Sequence, residues 1–418
     1  MLEGHEDHED RKSSIINFHN NEFYNAIMDE DLTCIEDMSK QHGRNGMLRK
    51  GFWKGLAILP LHLAASYRRV KSMQRLLSTG TDPEMRDQHG RTTLHLVITS
   101  WPNILTTRRI PGSKFQTTMT GVQRQAEACL QLLCEHGVNI NAEIEGEGCQ
   151  TALHLSVRYA APSAVQILGS YGANINAVDS SGMTPLHMAA GILHKEIISS
   201  LIAQGADINV GVKHSGNTPL HLAALAVAMK TTKTMEDGIS CISMLLENGA
   251  EPNAENSAGM TTLQQACMLG NKELVDLLLR YGANINKLSQ AGENCLFLFL
   301  NHKPNVSNSS LLVKLINLTS PLTIYNHKGH LPSALMLQCF SKQREQLLKL
   351  IQQPKRLQNI CKNYIYLKYI QDKKEKMKIL PERLYDFVFN CWENTHSISF
   401  VTDDVQFSLN NVSGNTST

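Results

Sequence analysis

The sequence has only three tryptophans in 418 residues, an aromatic share of 6% and a net charge of only +2. A chain so nearly balanced carries no overall electrostatic footprint for nucleic acid. No apolar run approaches the ~18 residues a membrane span needs. The first twelve residues, MLEGHEDHEDRK, are charged, which excludes a secretory signal there. Ten cysteines are present, yet they form no C-x-x-C pair and no framework spacing. That pattern fits buried thiols in a reducing compartment. The chain is expected to be intracellular, in the cytoplasm rather than the nucleus, with the sequons at Asn305, Asn308, Asn317, Asn411 and Asn415 unused. Chemistry is missing too: there is no G-x-x-x-x-G-K-[ST], no G-x-S-x-G and no H-E-x-x-H. Gly146 and Gly148 lack the third glycine of a dinucleotide loop. No enzyme, cofactor or metal is expected.

What the chain does have is a repeated unit. In Thr184–Asn209, TPLHMAAGILHKEIISSLIAQGADIN, Thr184 is a good helix N-cap and Pro185 stands at the first helical position, where its missing N–H costs nothing. Leu186, Ala189 and Ala190 make one apolar stripe, and Ile197, Ile198, Leu201 and Ile202 make a second up to Gly205, a left-handed helix stop. Such a helix pair cannot bury its own apolar face and must lean on a copy of itself. The copies are present. The His187 position recurs at His62, His95, His154 and His221, with Gln264 and Phe297 as substitutes, in steps of 33, 59, 33, 34, 43 and 33 residues. The helix-ending glycines Gly80, Gly137, Gly172, Gly205, Gly249 and Gly282 keep the same rhythm, each followed by a run such as ANIN or ADIN.

A 33-residue period with T-P-L-H-x-A resembles the ankyrin repeat family over roughly residues 55–340. The resemblance implies an all-α ankyrin solenoid, read as about eight or nine helix-pair units. The histidines tempt a metal reading, but neighbouring helices pack ~8–10 Å apart. Two zinc ligands must bring their nitrogens within roughly 3–4 Å of each other, given Zn–N distances of ~2 Å. His62, His95, His154, His187 and His221 are therefore structural; the resemblance implies that each imidazole bonds backbone in an adjoining loop.

Residues 1–19 read as a disordered acidic tail and 20–353 as the stack, with degenerate end units at 20–54 and 305–353. Two insertions interrupt it, about 100–122 and 230–238; the first is expected to be a loop, either offering Trp101, Arg108 and Arg109 as contact residues or a tolerated surface insertion, and the second a plain loop. The hairpin tips Asp179, Ser181, Lys213, His214, Glu255 and Asn256 are expected to point away from the helices and to serve recognition. The implied function is binding of a protein partner whose identity is not legible. No nucleic acid, no membrane and a monomeric chain are expected.

Charge is unevenly distributed: residues 1–40 hold eleven acidic and three basic side chains, and 341–383 hold twelve basic and four acidic. Inside the basic stretch, Leu357, Ile360, Cys361 and Ile365 lie at i, i+3, i+4 and i+8, one helix face. Leu380-Pro381 then opens a last amphipathic segment. Residues 354–391 resemble the suppressor-of-cytokine-signalling (SOCS) box, whose L-x-x-x-C-x-x-x-I motif is met by Leu357, Cys361 and Ile365. That resemblance implies elongin B/C as a partner and a substrate receptor of a cullin-RING ubiquitin ligase. The family's L-P-x-P motif reads here Leu380-Pro381-Glu382-Arg383, a departure that touches cullin choice. Two readings stay open: an adaptor of this kind, or a passive scaffold whose last helices only cap the stack, followed by a disordered tail over 392–418.

Overall fold

The structure, a computed structural model, describes residues 22–42, 52–53, 56–57, 59–102, 114–146, 148–228, 235–306, 308–353, 357–371 and 388. Both expected tails lie outside the described residues. In chain order the elements are α1 (Glu22–Asp29), α2 (Leu32–His42), β1 (Phe52–Trp53), β2 (Leu56–Ala57), α3 (Pro60–Ser66) and α4 (Val70–Ser78). They continue with α5 (Thr93–Thr99), α6 (Lys114–Glu135), α7 (Ala152–Arg158), α8 (Pro162–Ser170), α9 (Pro185–Ile192), α10 (Lys195–Ala203), α11 (Pro219–Ala228) and α12 (Met235–Glu247). The last are α13 (Thr262–Met268), α14 (Lys272–Arg280), α15 (Cys295–Leu300), α16 (Lys303–Val306), α17 (Ser309–Leu318), α18 (Ser341–Gln352) and α19 (Leu357–Gln371). The fold is an all-α ankyrin solenoid. Its one described sheet is the two-residue hairpin β1–β2, which pairs Phe52 with Ala57 and Trp53 with Leu56 in the connection before α3.

Contacts divide the chain into two compact units, residues 1–189 with 194–207, and residues 190–193 with 208–418. Each is built the same way: a short first helix packs against a longer second helix, and first helices pack on one another, as α3 on α5 on α7 in one unit and α11 on α13 on α15 in the other. The first helices are almost wholly buried. Leu153, Leu186 and Ala189 in one unit, and Leu220, Leu263 and Phe299 in the other, have lost essentially all contact with solvent. The second helices bury a single stripe, such as Ile197, Ile198 and Leu201 or Leu274, Val275 and Leu278. At ~1.5–3 kcal/mol per buried large apolar side chain, this repeat-to-repeat stripe is the main stabilising term.

The insertion after α5 departs from its expected form. Residues 114–122 are not loop: they begin α6, which runs for 22 residues where α4, α8 and α10 run for nine. Its threonines and Gly121 have low helix propensity and disguised it. Trp101 is buried rather than presented, because it follows directly on α5, whose C-cap carbonyl at Ser100 accepts from Arg68 at 2.7 Å. Arg108 and Arg109 lie outside the described residues. The ninth unit has also decayed: around Pro332 two 3₁₀ turns, Ser333–Met336 and Gln338–Phe340, stand where a first helix would.

One repeat lacks its cap. Leu59 occupies the N-cap position of α3 in extended conformation, and His62 Nδ1 is buried without a partner. Ahead of α5, α7, α9 and α11 a threonine fills both roles. Leu59→Thr is expected to stabilise its unit by about 1 kcal/mol, read as a melting temperature higher by about 2–4 °C. An unchanged or lower melt would count against the capping account.

Candidate functional site

The repeat histidines His62, His95, His154, His187 and His221 are all buried. In α5 the His95 Nδ1 accepts from the backbone N–H of Thr92 at 3.1 Å and lies 2.9 Å from its hydroxyl, while Nε2 meets the Ala142 carbonyl at 3.1 Å. His154 repeats this with Thr151 and Met183, and His221 with Thr218 and Met260. His187 is bound to Thr184 in the same way, and His62 Nε2 meets Met85 O at 3.0 Å. An Nδ1 that accepts a backbone N–H must be unprotonated, so each capped ring is the neutral Nε2–H tautomer, and those of His95, His154 and His221 donate to the next loop. Burial lowers the pKa of His62, His154 and His221, and pushes His95 down to about 4.

The substitutes follow the same logic. Gln264 accepts from Thr261 N–H at 2.7 Å and donates to Lys287 and Glu293 carbonyls. Where Phe297 can do neither, Asn294 caps α15 and sends its amide to Thr323 O at 2.9 Å. These side chains staple one repeat to the next hairpin. Among the described residues no cluster of His, Cys, Asp and Glu could hold a metal ion.

The hairpin tips divide into holders and presenters. Asp179 is buried, and its Oδ1 accepts from the N–H groups of Ser181 and Met183, both at 2.9 Å. Asn256 does the same for Ala258 and Met260 at 3.0 Å and donates to Asn217. This corrects the expectation that Asp179 and Asn256 point outward for recognition: their side chains close their own turns, as Asp87 and Asn326 do. The sequence carried a signal for this role, an Asp, Asn or Ser three residues before a glycine, at Asp87/Gly90, Asp179/Gly182, Asn256/Gly259, Ser289/Gly292 and Asn326/Gly329. Ser181, Lys213, His214 and Glu255 are exposed, with Glu255 ion-paired to Lys287.

The ANIN-type runs also have a role that periodicity did not assign. The second asparagine reaches one repeat forward: Asn176 Oδ1 accepts from Asp207 N–H at 2.8 Å, Asn253 from Asn284 at 2.7 Å and Asn286 from Ser320 at 2.8 Å. The sequons divide differently. Asn305 is buried and donates to the carbonyls of Met268 and Phe299, so it presents no acceptor amide.

The C-terminal helix α19 has two faces. Its inner face packs on α14 and α17. Tyr366 and Lys362 are buried there, Lys314 Nζ stands 5.4 Å from the Tyr366 ring centre, and Asn363 donates to the Asn317 carbonyl. Burial opposes the charge on Lys314, but Tyr366 and the Asp276 carboxylate at 2.5 Å outweigh it and hold the amine above its ordinary pKa. The outer face leaves Ile360 45% and Tyr364 66% exposed, with Cys361 exposed between them and Ile365 half-buried at the edge. Leu357 opens the helix; its side chain, Leu380 and Pro381 lie outside the described residues. Cys361 is exposed where Cys129 and Cys134 are buried, and burial pushes those two core thiols up to about 12 and about 11.

Comparison with known proteins places this geometry. A family model for an ankyrin repeat matches residues 59–88 and 149–180, and a model for three ankyrin repeats matches 171–235 and 233–319. The chain is similar to neurogenic locus notch homolog protein 1 of Danio rerio, 32% identical over 163 residues, which is 39% of this chain and 6% of that protein. It is also similar to ankyrin repeat and SOCS box protein 16 of Homo sapiens, 27% identical over 223 residues, 45% of this chain and 49% of that protein. The match thus spans less than half the length of either relative. A solved ankyrin repeat domain, that of Bcl-3, aligns with a TM-score of 0.47 at 23% identity, covering 58% of this chain and 93% of that one.

Proposed function

From a chain that carries ankyrin repeats, we propose a protein-capture module whose α19 recruits elongin B/C, making the whole a substrate receptor for ubiquitination. Ankyrin repeats are protein-interaction modules, and the exposed tips Ser181 in one unit and Lys213, His214 and Glu255 in the other are the residues this reading assigns to capture. The observation that carries the recruiting half is the outer face of α19. Cys361 stands at the cysteine position of the L-x-x-x-C-x-x-x-I motif with Ile360 beside it, and both are left in water, where an apolar helix face is costly unless something covers it. The likeness to an ankyrin repeat and SOCS box protein supports the same reading.

The scaffold reading draws on the inner face, where Tyr366, Lys314 and Asn363 join α19 to the last repeats. The two use opposite sides of one helix, so different substitutions separate them. Ile360→Asp with Cys361→Phe is expected to lower elongin B/C co-purification at least about tenfold, as truncation of an interface anchor does, with the melt unchanged. Tyr366→Ala is expected to cost about 3–5 kcal/mol locally, detected as early proteolysis of the C-terminal end. Co-purification that survives the outer-face change would overturn the recruiting role and leave the cap.

A further inference from the structure

The tips of residues 208–418 form a hydrogen-bonded ribbon. Ser257 N–H donates to Ser215 O at 2.9 Å, Gln290 to Ala258 O at 3.1 Å and His327 to Ala291 O at 3.0 Å. Four successive hairpins are thereby held in register. The residue just before each turn-closing side chain is Glu255, then Leu288, then Tyr325. Leu288 is 45% and Tyr325 39% exposed, so two large apolar groups stand one repeat apart on the ribbon. Glu255 is offset by its ion pair with Lys287. The exposed Lys213 on the first hairpin and Lys328 on the last have no ion-pair partner among the described residues. His214 and His330 stand exposed beside them and add donors.

We propose that this ribbon captures an extended acidic segment of a partner protein, with aliphatic or aromatic side chains against Leu288 and Tyr325 and carboxylates toward Lys213 and Lys328. The inference rests on the reading of the repeats as a capture module and not on the recruiting helix. Size supports it: three steps of about 10 Å between neighbouring repeats give about 30 Å, which ~9 residues of extended chain would span. Charge supports it as well. A nucleic-acid strand would need cations along the whole track, and here Glu255 interrupts it while Leu288 offers no stacking face. An acidic peptide needs cations only at its ends and something apolar between them.

The test uses the full chain and fluorescence anisotropy. The probe is a labelled peptide of about ten residues, with glutamates at both ends and leucine and phenylalanine between. A lysine-ended peptide, an alanine-centred peptide and polyuridine of equal length serve as controls. The acidic, apolar-centred peptide is expected to bind at least about tenfold more tightly than each control. Leu288→Ser with Tyr325→Ser is expected to abolish the preference for apolar residues. Lys213→Glu with Lys328→Glu is expected to abolish the preference for acid and its salt dependence. Should the serine variant lose its melt, the lysine variant, altered only at exposed positions, still decides. No binding, equal binding of acidic and basic peptides, or tighter binding of polyuridine would overturn the proposal. Elongin B/C binding by the same preparation reports separately on the recruiting half.

Discussion

Lowering the pH from 7 to 4 will destabilise the repeats bounded by His95, and His95→Gln will remove the His95 share of that loss. The folded pKa of His95 lies at about 4, below the ordinary 6.5, because burial disfavours the imidazolium, with the Arg86 and Arg91 charges adding to the effect. A group depressed in this way stabilises the fold in full above the unfolded pKa and loses that contribution as pH falls from 6.5 toward 4. The loss for His95 is about 3 kcal/mol, at 1.36 kcal/mol per pKa unit. His62, His154 and His221 shift in the same direction and add to it. Asp87 titrates elsewhere: burial would raise it, but Arg91 and backbone N–H groups hold it below the ordinary carboxylate value, so its share is lost only further down in pH. Glutamine is the informative replacement because Gln264 already does this job without a proton to gain. Urea midpoints of the two proteins should agree at pH 7 and separate below pH 6. Parallel curves would refute the neutral-tautomer staple.

Alanine at Gly90 will cost far more than alanine at Gly205. Both residues lie in the left-handed region, at φ +69 and +87. An L-residue pays about 1–2 kcal/mol there. At Gly205 nothing lies within 4 Å of the added Cβ, so the cost ends with that strain. At Gly90 the Cβ would fall 2.5 Å from the Glu145 carbonyl oxygen, on the hairpin whose N–H bonds back to Gly90 O. Relieving that clash adds about 1–3 kcal/mol of overpacking and loosens the tip-to-tip bond. Denaturation of the two variants should show a loss of about 2–5 kcal/mol at Gly90 and about 1–2 at Gly205. Equal losses would show that tip contact between these repeats contributes little.

The repeat rhythm was legible because it is a matter of periodicity: Thr184, Pro185, His187 and Gly205 each declare a cap, a start, a staple or a stop. The role of the second asparagine was not, because its partner lies some 31–34 residues away, as in Asn176 to Asp207 and Asn286 to Ser320. The tips were misread for a related reason. Asp179 and Lys213 are both polar hairpin residues, and only the turn closed by Asp179 shows that its carboxylate faces inward while Lys213 is left exposed. Trp101 looked like a contact residue because its neighbours are irregular, yet its position directly after α5 buries it. In α19 the apolar spacing found Ile360 and Cys361; the buried partnership of Tyr366 with Lys314 depends on α17 and has no local signature.

Titration of the full chain with purified elongin B/C tests the recruiting claim most directly. The account predicts a stoichiometric complex with a negative heat-capacity change, the mark of buried apolar surface, and its loss with Ile360→Asp and Cys361→Phe. Absence of a complex at about 10–100 μM elongin, weaker than roughly −6 kcal/mol of binding, would contradict it and leave α19 as the cap of the stack.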